Sequence, residues 1–337
     1  MTEVQQVNPA KRPLGKVRAY FCGGGATDIG AGHYLNASLS PGMAELHCSF
    51  MDTGMSNIGS FQIPKEAIYI VPGCKEGSGK KRDENYEAIM AAKDNMIAAQ
   101  PPLDFNIVVA TGGGGSGNVI QQCIYKALLE NGHNAVLLYI GCTDSEITAR
   151  CSIRSMQTLE NNFLDGEDDY RMIYAHNEKG DTFAKADAAA IEAINCLLFA
   201  ASNQNDGLDR SDLYHFINTS KALRSEPSFG IIKFRQDNDF KDIEYADAVL
   251  TLYSTPVREP LKIDTGYDTI GRYPFPMDSG FKSLHVVILN NGLVEVFDHL
   301  SKVNEHYEHQ RTSRVVNRSI SADDKKATKV GKGNFVI

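Results

Sequence analysis

The feature that constrains this chain most is a glycine run at residues 112–117, in which five of six residues are glycine. The run follows a short apolar segment, 106–110, whose composition predicts a buried parallel strand. After the run, Asn118 can cap a helix that Gly132 ends. The apolar residues between them recur every three or four positions, as in a helix: Ile120, Ile124, Leu128 and Leu129. The sequence therefore predicts a strand, a glycine loop and a helix, in that order.

A glycine loop at the head of a helix favours an anion. Glycine allows positive φ and lets another group approach the backbone closely, and the free N–H groups of the first helical turn attract negative charge. We expect the anion to be a phosphate; the alternative is a flexible surface loop. The loop is not a Walker loop, because no Lys-Ser/Thr pair follows Gly117. Gly112, Gly114 and Gly117 fit G-x-G-x-x-G, although a lone match inside a glycine run is weak evidence.

A second glycine loop lies near the N-terminus. Residues 16–21 are typical of a strand, and they run into the glycine-rich segment 22–30. A further strand, 46–50, delivers Asp52 and Thr53 at its carboxyl end, where open α/β sheets bind ligands. Other strands are predicted at 67–71, 135–140 and 171–175, alternating with helices at 86–100 and 147–162. This alternation predicts a parallel, doubly wound sheet.

The second half of the sequence has a different pattern. A long helix with a wide apolar stripe is predicted over 182–203 and a shorter one over 209–220. Four strands are predicted after them: 230–234, 249–253, 284–289 and 293–296. The last two flank Asn290-Asn291-Gly292, where Asn-Gly predicts a hairpin. A polar helix over 298–317 and a poorly ordered tail over 319–337 follow, so we expect a mixed α+β second domain.

Composition and charge exclude several classes of protein. The net charge of −8 argues against a general nucleic-acid binder. No apolar run approaches the ~18 residues that span a bilayer, and residues 1–15 lack the apolar core of a signal peptide. Seven cysteines without a C-x-x-C pair indicate reduced thiols in a cytosol, not disulfides or a structural zinc site. From Ser301 onward, eight Lys or Arg residues outnumber four acidic ones, so the C-terminal segment is basic.

The residues alone leave a competing enzyme class open. Asp52 lies where a dinucleotide-binding fold places its ribose-binding acid, ~20 residues after the glycine loop, which favours a Rossmann-type NAD(P)-dependent oxidoreductase. That interpretation leaves the second glycine loop unexplained, and no hydride-transfer constellation is evident. A nucleotide-binding module without turnover is a third possibility.

The chain resembles the tubulin/FtsZ family, and within it the bacteriophage branch of PhuZ-like tubulins. Residues 113–117, G-G-G-S-G, are similar to the family's G-G-G-T-G-(S/A/T)-G and closer to the phage form G-G-G-S-G-S-V. Asn118 and Val119 depart from the usual small residue and glycine. Three further segments agree with that branch: F-M-D-T at 50–53, M-Q-T-L-E at 156–160 and N-Q-N-D-G-L-D-R-S-D at 203–212, the last apart from one residue of length.

This resemblance spans roughly residues 16–337 and implies a fold class. The expected fold is α/β, with a Rossmann-like parallel-sheet GTPase domain over 1–180 and a long core helix over 181–206. A mixed α+β activation domain over 207–300 and a C-terminal helix with an extended tail over 301–337 complete it.

The resemblance also implies candidate catalytic residues. Asp209 and Asp212 match the acids that one subunit inserts over the nucleotide of its longitudinal neighbour. Phosphoryl transfer needs an oriented water and charge neutralisation more than covalent chemistry. Two carboxylates at i and i+3 on a first helical turn project to one side and can orient that water. The structural alternative is a plain helix N-cap.

A GTP- or GDP-binding site with Mg²⁺ is implied as well. Asn177 and Asp187 match residues that contact the guanine base, whereas Phe183 either stacks on the base or, as we favour, lies in the core. Asp52 would help to hold Mg²⁺ through water or only cap a turn. The expected GTP-binding residues are Gly24, Gly25, Ala26, Thr27, Asp52, Thr53, Gly113, Gly114, Gly115, Ser116, Gly117, Asn118, Glu146, Arg150, Asn177, Phe183 and Asp187. Glu146 and Arg150 match the family's E-x-x-x-R, and the alternative for them is an i, i+4 surface pair.

The function implied is a GTP-hydrolysing protein that polymerises head to tail into filaments and positions phage DNA in the cytoplasm of the infected bacterium. Its expected partner is itself, with a DNA-containing phage assembly contacted only indirectly, and with neither direct nucleic-acid binding nor a membrane. The basic tail, which ends in apolar residues 335–337, is expected to grip acidic residues on the next subunit; a solvated tail is the alternative.

Overall fold

One hydrogen-bonded sheet of ten strands runs through the part of the chain that the computed structural model describes, residues 12–177, 180, 182–254, 261–273 and 282–328. The strands are β1 (Lys16–Cys22), β2 (Glu45–Asp52), β3 (Ile68–Ile70), β4 (Phe105–Thr111), β5 (Ala135–Cys142), β6 (Tyr170–Asn177), β7 (Phe229–Gln236), β8 (Tyr245–Tyr253), β9 (Asp264–Arg272) and β10 (Ser283–Leu289). Their spatial order is β3-β2-β1-β4-β5-β6-β7-β10-β8-β9.

The two halves of the sheet differ in strand direction. The six strands from β3 to β6 pair in parallel, and β7 continues in parallel beside the start of β6. Strand β10 then pairs antiparallel with both β7 and β8, and β9 pairs in parallel with β8. The predicted α/β class, with a parallel sheet followed by a mixed α+β half, is confirmed.

Helices cover both faces of the sheet. They are α1 (Gly24–Ile29), α2 (Tyr86–Ala91), α3 (Lys93–Ala99), α4 (Ser116–Glu130), α5 (Glu146–Leu164), α6 (Phe183–Ala200), α7 (Arg210–Ile217), α8 (Thr219–Leu223) and α9 (Gly292–Thr328), with a π-helical turn at Gly30–Tyr34. Alternate residues of β4 take part in different apolar clusters: Ile107 packs with α6 residues and Val108 with α4 residues. Burial on both faces explains why β4 and β5 are almost continuously apolar.

Two apolar clusters therefore define two sides. The first side holds α1, the π-helical turn, α6 and α7, and the second side holds α2, α3, α4, α5 and the start of α9. Because β1, β2, β4, β5 and β6 are parallel, their carboxyl ends meet at one edge of the sheet, and the loops that leave them lie together there.

The hairpin predicted at Asn290-Asn291-Gly292 is wrong. Residues 293–296 belong to the start of α9, a helix in which Val296 and Leu300 are buried while Val294 is 62% exposed. Gly292 lies so close to the sheet that a Cβ on it would be 2.9 Å from Ile231 Cβ. The sheet also contains β9, which was not predicted.

The C-terminal prediction is also partly wrong. Residues 319–328, expected as part of a poorly ordered tail, continue α9, and residues 329–337 lie outside the described residues. The division into four domain segments remains a prediction; the core helix α6 packs in one apolar cluster with strands from both halves of the sheet. Within the described chain, none of the helices has the length and apolar character needed to span a bilayer.

Candidate functional site: a cavity at the carboxyl edge of the sheet

A cavity of about 560 Å³ opens at the carboxyl ends of β1, β2, β4, β5 and β6. Twelve of the predicted GTP-binding residues line it: Gly24, Gly25, Asp52, Thr53, Gly113, Gly114, Gly115, Ser116, Gly117, Asn177, Phe183 and Asp187. The sequence thus predicted residues from both glycine loops, from the ends of β2 and β6 and from α6 that the fold brings together.

The two glycine loops form the floor of the cavity and touch each other. A Cβ on Gly117 would lie 2.6 Å from the carbonyl oxygen of Cys22, and one on Gly23 would lie 2.9 Å from Gly117 Cα. Gly23 also has a φ of 81°, which disfavours other residues. Since α1 begins at Gly24 and α4 at Ser116, the first turns of two helices face the cavity, and their N–H groups suit an anion.

Three of the predicted contact residues lie behind this floor, off the cavity wall. Asn118 is fully buried, and its Nδ2 donates to the carbonyl oxygens of Gly112 at 3.0 Å and Gly114 at 2.7 Å. Ala26 is buried, and the hydroxyl of buried Thr27 donates to the Gly23 carbonyl at 3.0 Å. In this geometry the three residues shape the loops from behind.

Asp52 is buried on the cavity wall, and both of its oxygens accept hydrogen bonds. Oδ1 accepts from the Thr53 N–H at 2.7 Å, and Oδ2 accepts from Asn57 Nδ2 at 2.9 Å. No group of three or more His, Cys, Asp or Glu side chains suited to a metal ion occurs among the described residues. Asp52 therefore offers one carboxylate to a cation whose other ligands must come from elsewhere.

The end of the cavity beside β6 and α6 carries acceptors. Asn177 Oδ1 is buried without a hydrogen-bond partner in the described structure, although the residue lines the cavity. Burial, together with the nearby negative charge of Asp28, raises the pKa of Asp187. Phe183 is 64% exposed at the cavity rim, so the prediction that it lies in the core is wrong. This end suits a flat ligand with N–H donors.

The sequence analysis missed part of the wall. Ser78, in the loop after β3, accepts a hydrogen bond from the Ser116 N–H at 3.1 Å, and Lys80 of the same loop also faces the cavity. Asp144, just after β5, accepts from Cys142 Sγ at 2.9 Å and from Thr148 Oγ1 at 2.6 Å. Although burial acts to raise it, the pKa of Asp144 is lowered, because these hydrogen bonds favour the charged form. Their position could have indicated these residues, because the loop after β3 and the segment after β5 both follow parallel strands, whose carboxyl ends meet at this edge.

Glu146 and Arg150 form an ion pair with each other and do not line the cavity. Arg150 faces a neighbouring cleft, and Glu146 also lies 3.8 Å from Arg311 of α9. This geometry matches the i, i+4 surface pair that the sequence left open.

Comparison with known proteins shows which proteins the chain is similar to. The chain is 26% identical over 332 residues to the phage tubulin-like protein of Pseudomonas phage phiKZ, covering 94% of this chain and 97% of the relative. The fold is similar to a protofilament structure of TubZ from bacteriophage PhiKZ, with a TM-score of 0.79, 23% identity and coverage of 88% and 92% of the two chains. A GDP-bound phage tubulin, PhuZ, gives a TM-score of 0.77, 20% identity and 95% coverage of each chain. The chain is thus similar to phage tubulin-like proteins over nearly its whole length, and its fold is the tubulin/FtsZ fold.

No protein-family model matches this chain. The relatives nevertheless agree with the tubulin/FtsZ fold expected from the glycine motif, and they lend no support to an NAD(P)-dependent oxidoreductase.

The two remaining predicted residues, Asp209 and Asp212, lie at the opposite edge of the sheet. Arg210, between them, forms an ion pair with Asp104 at 2.8 Å, and Asp104 also accepts from the N–H of Lys16, the first residue of β1, at 3.0 Å. Because the cavity lies at the other end of β1, which has seven residues, about 20 Å of strand separates the acids from the cavity.

Proposed function

We propose that the chain binds GTP in the cavity, hydrolyses it with acids supplied by a second copy, and assembles head to tail into filaments. One observation carries the proposal: the glycine-lined cavity and the Asp209–Asp212 pair occupy opposite edges of one sheet. Residues so placed do not meet within a chain, but they meet when one copy stacks on the next in the same orientation. The similarity to a phage protofilament structure supports the same arrangement.

The cavity suits a guanine nucleotide in size and chemistry. Its volume of about 560 Å³ is ordinary for a small-molecule site. The N–H groups of the glycine loops face the position for the phosphates. The unpaired Oδ1 of Asn177 and the carboxylate of Asp187 are acceptors for the N1–H and exocyclic amine of guanine. Adenine presents no such pair of donors, so the site favours GTP over ATP.

Asp52 fits the role of a single protein carboxylate near Mg²⁺. Mg²⁺ keeps several waters and is commonly bound by one or two carboxylates together with substrate phosphates. When bound, the ion would neutralise charge on the β- and γ-phosphates. The hydrogen bonds from Thr53 and Asn57 hold the Asp52 carboxylate in place on the wall.

Asp209 and Asp212 would orient the attacking water from the neighbouring copy. Asp209 is exposed and Asp212 is half-buried, so both carboxylates are accessible to an approaching subunit. Each cavity then becomes competent for hydrolysis only when another subunit covers it. We further propose that the filaments act in the cytoplasm of an infected bacterium, where they position phage DNA through indirect contacts.

A mixing experiment tests the shared site. Asp212→Asn keeps the cavity intact, whereas an Asn177→Ala, Asp187→Ala double variant keeps the acids intact. We expect each protein alone to release phosphate slowly. A one-to-one mixture should regain activity, up to about a quarter of the wild-type rate, since random head-to-tail stacking pairs a good cavity with good acids at that frequency.

The wild-type protein supplies the second arm of the experiment. Its phosphate release per molecule should rise with protein concentration, while a dilute monomer binds GTP and barely cleaves it. Specific activity that stays flat with concentration, together with no recovery in the mixture, would show a self-contained site and overturn the proposal.

A further inference from the structure

The loop at residues 73–81, which we call the strap, crosses the carboxyl edge of the sheet over the glycine loop at residues 112–117. Near its start, Glu76 packs on Gly54, where an added Cβ would lie 2.4 Å from Glu76 Cγ. In its middle, Ser78 Oγ accepts from the Ser116 N–H at 3.1 Å. At its end, the Lys80 carbonyl accepts from Cys151 Sγ of α5 at 3.2 Å. The strap is thus attached at three points on different elements.

Lys80 is the strap residue that brings a positive charge to the cavity. It is exposed and lines both the cavity and the neighbouring cleft that contains Lys81, and within the described chain it forms no salt bridge. Two other cations around it are engaged: Lys75 pairs with Glu84, and Arg150 pairs with Glu146. The charge of Lys80 also acts on Asp144, on the cavity wall. Burial acts to raise the pKa of Asp144, the hydrogen bonds from Cys142 and Thr148 lower it, and the positive charge of Lys80 lowers it further.

The backbone of Lys80 is in the left-handed region, with a φ of 64°. For a residue with a Cβ this conformation costs on the order of 1 kcal/mol, and such strain concentrates at functional sites. Glycine stands at two nearby strap positions with positive φ, Gly77 and Gly79, whereas position 80 carries a lysine. The strained position therefore carries a lysine that lines the cavity.

The strap lies opposite the base end of the cavity. The acceptor Asp187 belongs to α6, on the first side of the sheet, whereas the strap joins α5 on the second side. A nucleotide whose base lies beside Asp187 and whose phosphates cross the glycine loops therefore extends its last phosphate toward the strap. The glycine loop and the strap approach each other closely at Gly115, where an added Cβ would lie 2.0 Å from Ser78 Oγ.

We propose that Lys80 binds the terminal phosphate of a nucleoside triphosphate and so makes the site prefer a triphosphate to a diphosphate. The inference rests on the proposed nucleotide-binding function and adds the residue that discriminates between the two ligands. The ammonium donates charge-assisted hydrogen bonds to the γ-phosphate oxygens. A diphosphate ends before it reaches Lys80, so it gains little from this charge.

Neighbouring Lys81 provides a matched control. It has the same charge and is also exposed, and it lines, together with Lys80, Arg150 and Arg154, a neighbouring cleft of about 470 Å³, but unlike Lys80 it does not line the cavity. The experiment compares Lys80→Ala, Lys81→Ala and the wild type, in the full-length chain and at concentrations below assembly. Dissociation constants are measured for a non-hydrolysable GTP analogue and for GDP.

We expect Lys80→Ala to weaken binding of the GTP analogue about tenfold or more while GDP binding changes by less than about threefold. Lys81→Ala should change neither. Lys80→Arg should retain most of the preference, and Lys80→Gly, which relieves the backbone strain but lacks the charge, should behave like Lys80→Ala.

Three results would overturn the role of Lys80: no change in Lys80→Ala, an equal loss for both ligands, or an equal effect of Lys81→Ala. Wild-type protein that binds neither ligand would instead refute the proposed function, so the two failures are distinguishable. Thermal melting of each variant without nucleotide shows whether the fold is kept.

Discussion

Asp209 and Asp212 cap the first turn of α7 reciprocally: the Asp212 N–H donates to Asp209 Oδ1 at 3.0 Å, and the Asp209 N–H donates to Asp212 Oδ2 at 2.9 Å. The hydrogen bonds from the N–H groups of Asp212 and Ser211 lower the pKa of Asp209, so its carboxylate is charged at neutral pH. Both alternatives left open by the sequence, a helix cap and a pair of water-orienting acids, are therefore compatible with this geometry. An alanine variant would remove both roles at once.

Asparagine separates the two roles, because it caps a helix as well as aspartate does. We expect Asp209→Asn and Asp212→Asn to keep thermal stability and GTP affinity but to lower GTP turnover about a hundredfold or more, as loss of a water-orienting carboxylate should. The alanine variants should lose the same activity and, in addition, about 1 kcal/mol of stability. Phosphate release and thermal melting measure the two effects. Asparagine variants with turnover within a few-fold of wild type would leave the acids only a capping role.

Asp187 should set the choice of base. Asp187→Ala removes the acceptor that faces the cavity from α6, so GTP affinity should fall about tenfold or more, whereas weak ATP binding should stay the same. Glu192→Ala is the control, since Glu192 is an exposed acid on the same helix that does not line the cavity. Competition binding with both nucleotides measures the ratio. A loss that Glu192→Ala reproduces would mean that only the general charge of α6 matters.

Asn118 should act on nucleotide binding through the shape of the loop. Its Nδ2 holds two loop carbonyls, so Asn118→Ala leaves both without that donor and should cost about 1–3 kcal/mol of stability and weaken GTP binding. Asn118→Asp should be worse, because a carboxylate would face two carbonyl oxygens. Asn131→Ala removes a similar hydrogen bond, from the side-chain amide of Asn131 to the carbonyl oxygen of Ala127, at the exposed end of the same helix. This variant should have little effect. Equal destabilisation by Asn118→Ala and Asn131→Ala would contradict this role.

His285 should make the fold sensitive to acid. Burial lowers the pKa of His285 to about 4, and its ring contacts Thr251 and Ser283. The unfolded chain binds a proton near pH 6.5 and the folded chain does not, so this contribution to stability is present above pH 6.5. It is lost as the pH falls toward 4 and amounts at most to ~3 kcal/mol.

Urea unfolding at pH 7, 6 and 5 checks this prediction. His285→Gln, which cannot titrate, should be less stable at pH 7 but should lose less stability between pH 7 and pH 5 than the wild type. An identical pH dependence in the two proteins would assign the acid sensitivity to other groups.

The sequence predicted those elements correctly whose signal lies within their own segment, and it missed those that depend on distant parts of the chain. Buried strands such as β4 and β5 were found because burial on both faces demands an apolar run. Strand β9 was missed because Asp264–Arg272 is an edge strand rich in Asp and Gly, residues that strands disfavour, and it exists through pairing with β8. The Asn-Gly pair led to the wrong prediction of a hairpin. The four-residue spacing of Val296 and Leu300 is typical of a helix, but the valines of this segment favoured a strand.

In the candidate site, too, the sequence predicted the residues with a local signal and missed those brought together by the fold. The glycine loops carry their own signal, since their backbone conformation needs glycine. Lys80 and Asp144 face the same cavity from loops 64 positions apart, and the sequence offers no measure of that proximity. Arg150 pairs with Glu146 and does not line the cavity, because of how α5 is placed relative to the sheet.

The C-terminal segment leads to the last prediction, which begins with how α9 is held. His299 Nε2 lies 3.0 Å from Nε2 of His176, the residue before Asn177, and the Tyr307 hydroxyl donates to the Thr143 carbonyl at 2.9 Å. The first part of α9 is therefore fixed beside the cavity. From there the helix runs to Thr328.

The acidic surface expected to receive that segment is partly neutralised by its own chain. Asp242 pairs with Arg235, Asp239 lies 3.5 Å from Lys241, and Asp237 accepts from the N–H groups of Lys282 and Ser283. Exposed ion pairs contribute only ~0–1 kcal/mol each, so the tail lysines can add little there. Burial of the apolar terminus, residues 335–337, would contribute more, and salt would not screen it.

Deletion of residues 319–337 should therefore raise the critical concentration for assembly by tenfold or more, corresponding to about 1.4 kcal/mol per subunit contact or more, while monomer affinity for GTP stays the same. Deletion of 335–337 alone should give most of that effect, and replacement of Lys325, Lys326, Lys329 and Lys332 by Gln should give a smaller effect that disappears at high salt. Light scattering after GTP addition, over a series of protein concentrations at low and high salt, measures each critical concentration. If the longest deletion leaves the critical concentration unaltered at low salt, the tail does not hold neighbouring subunits together.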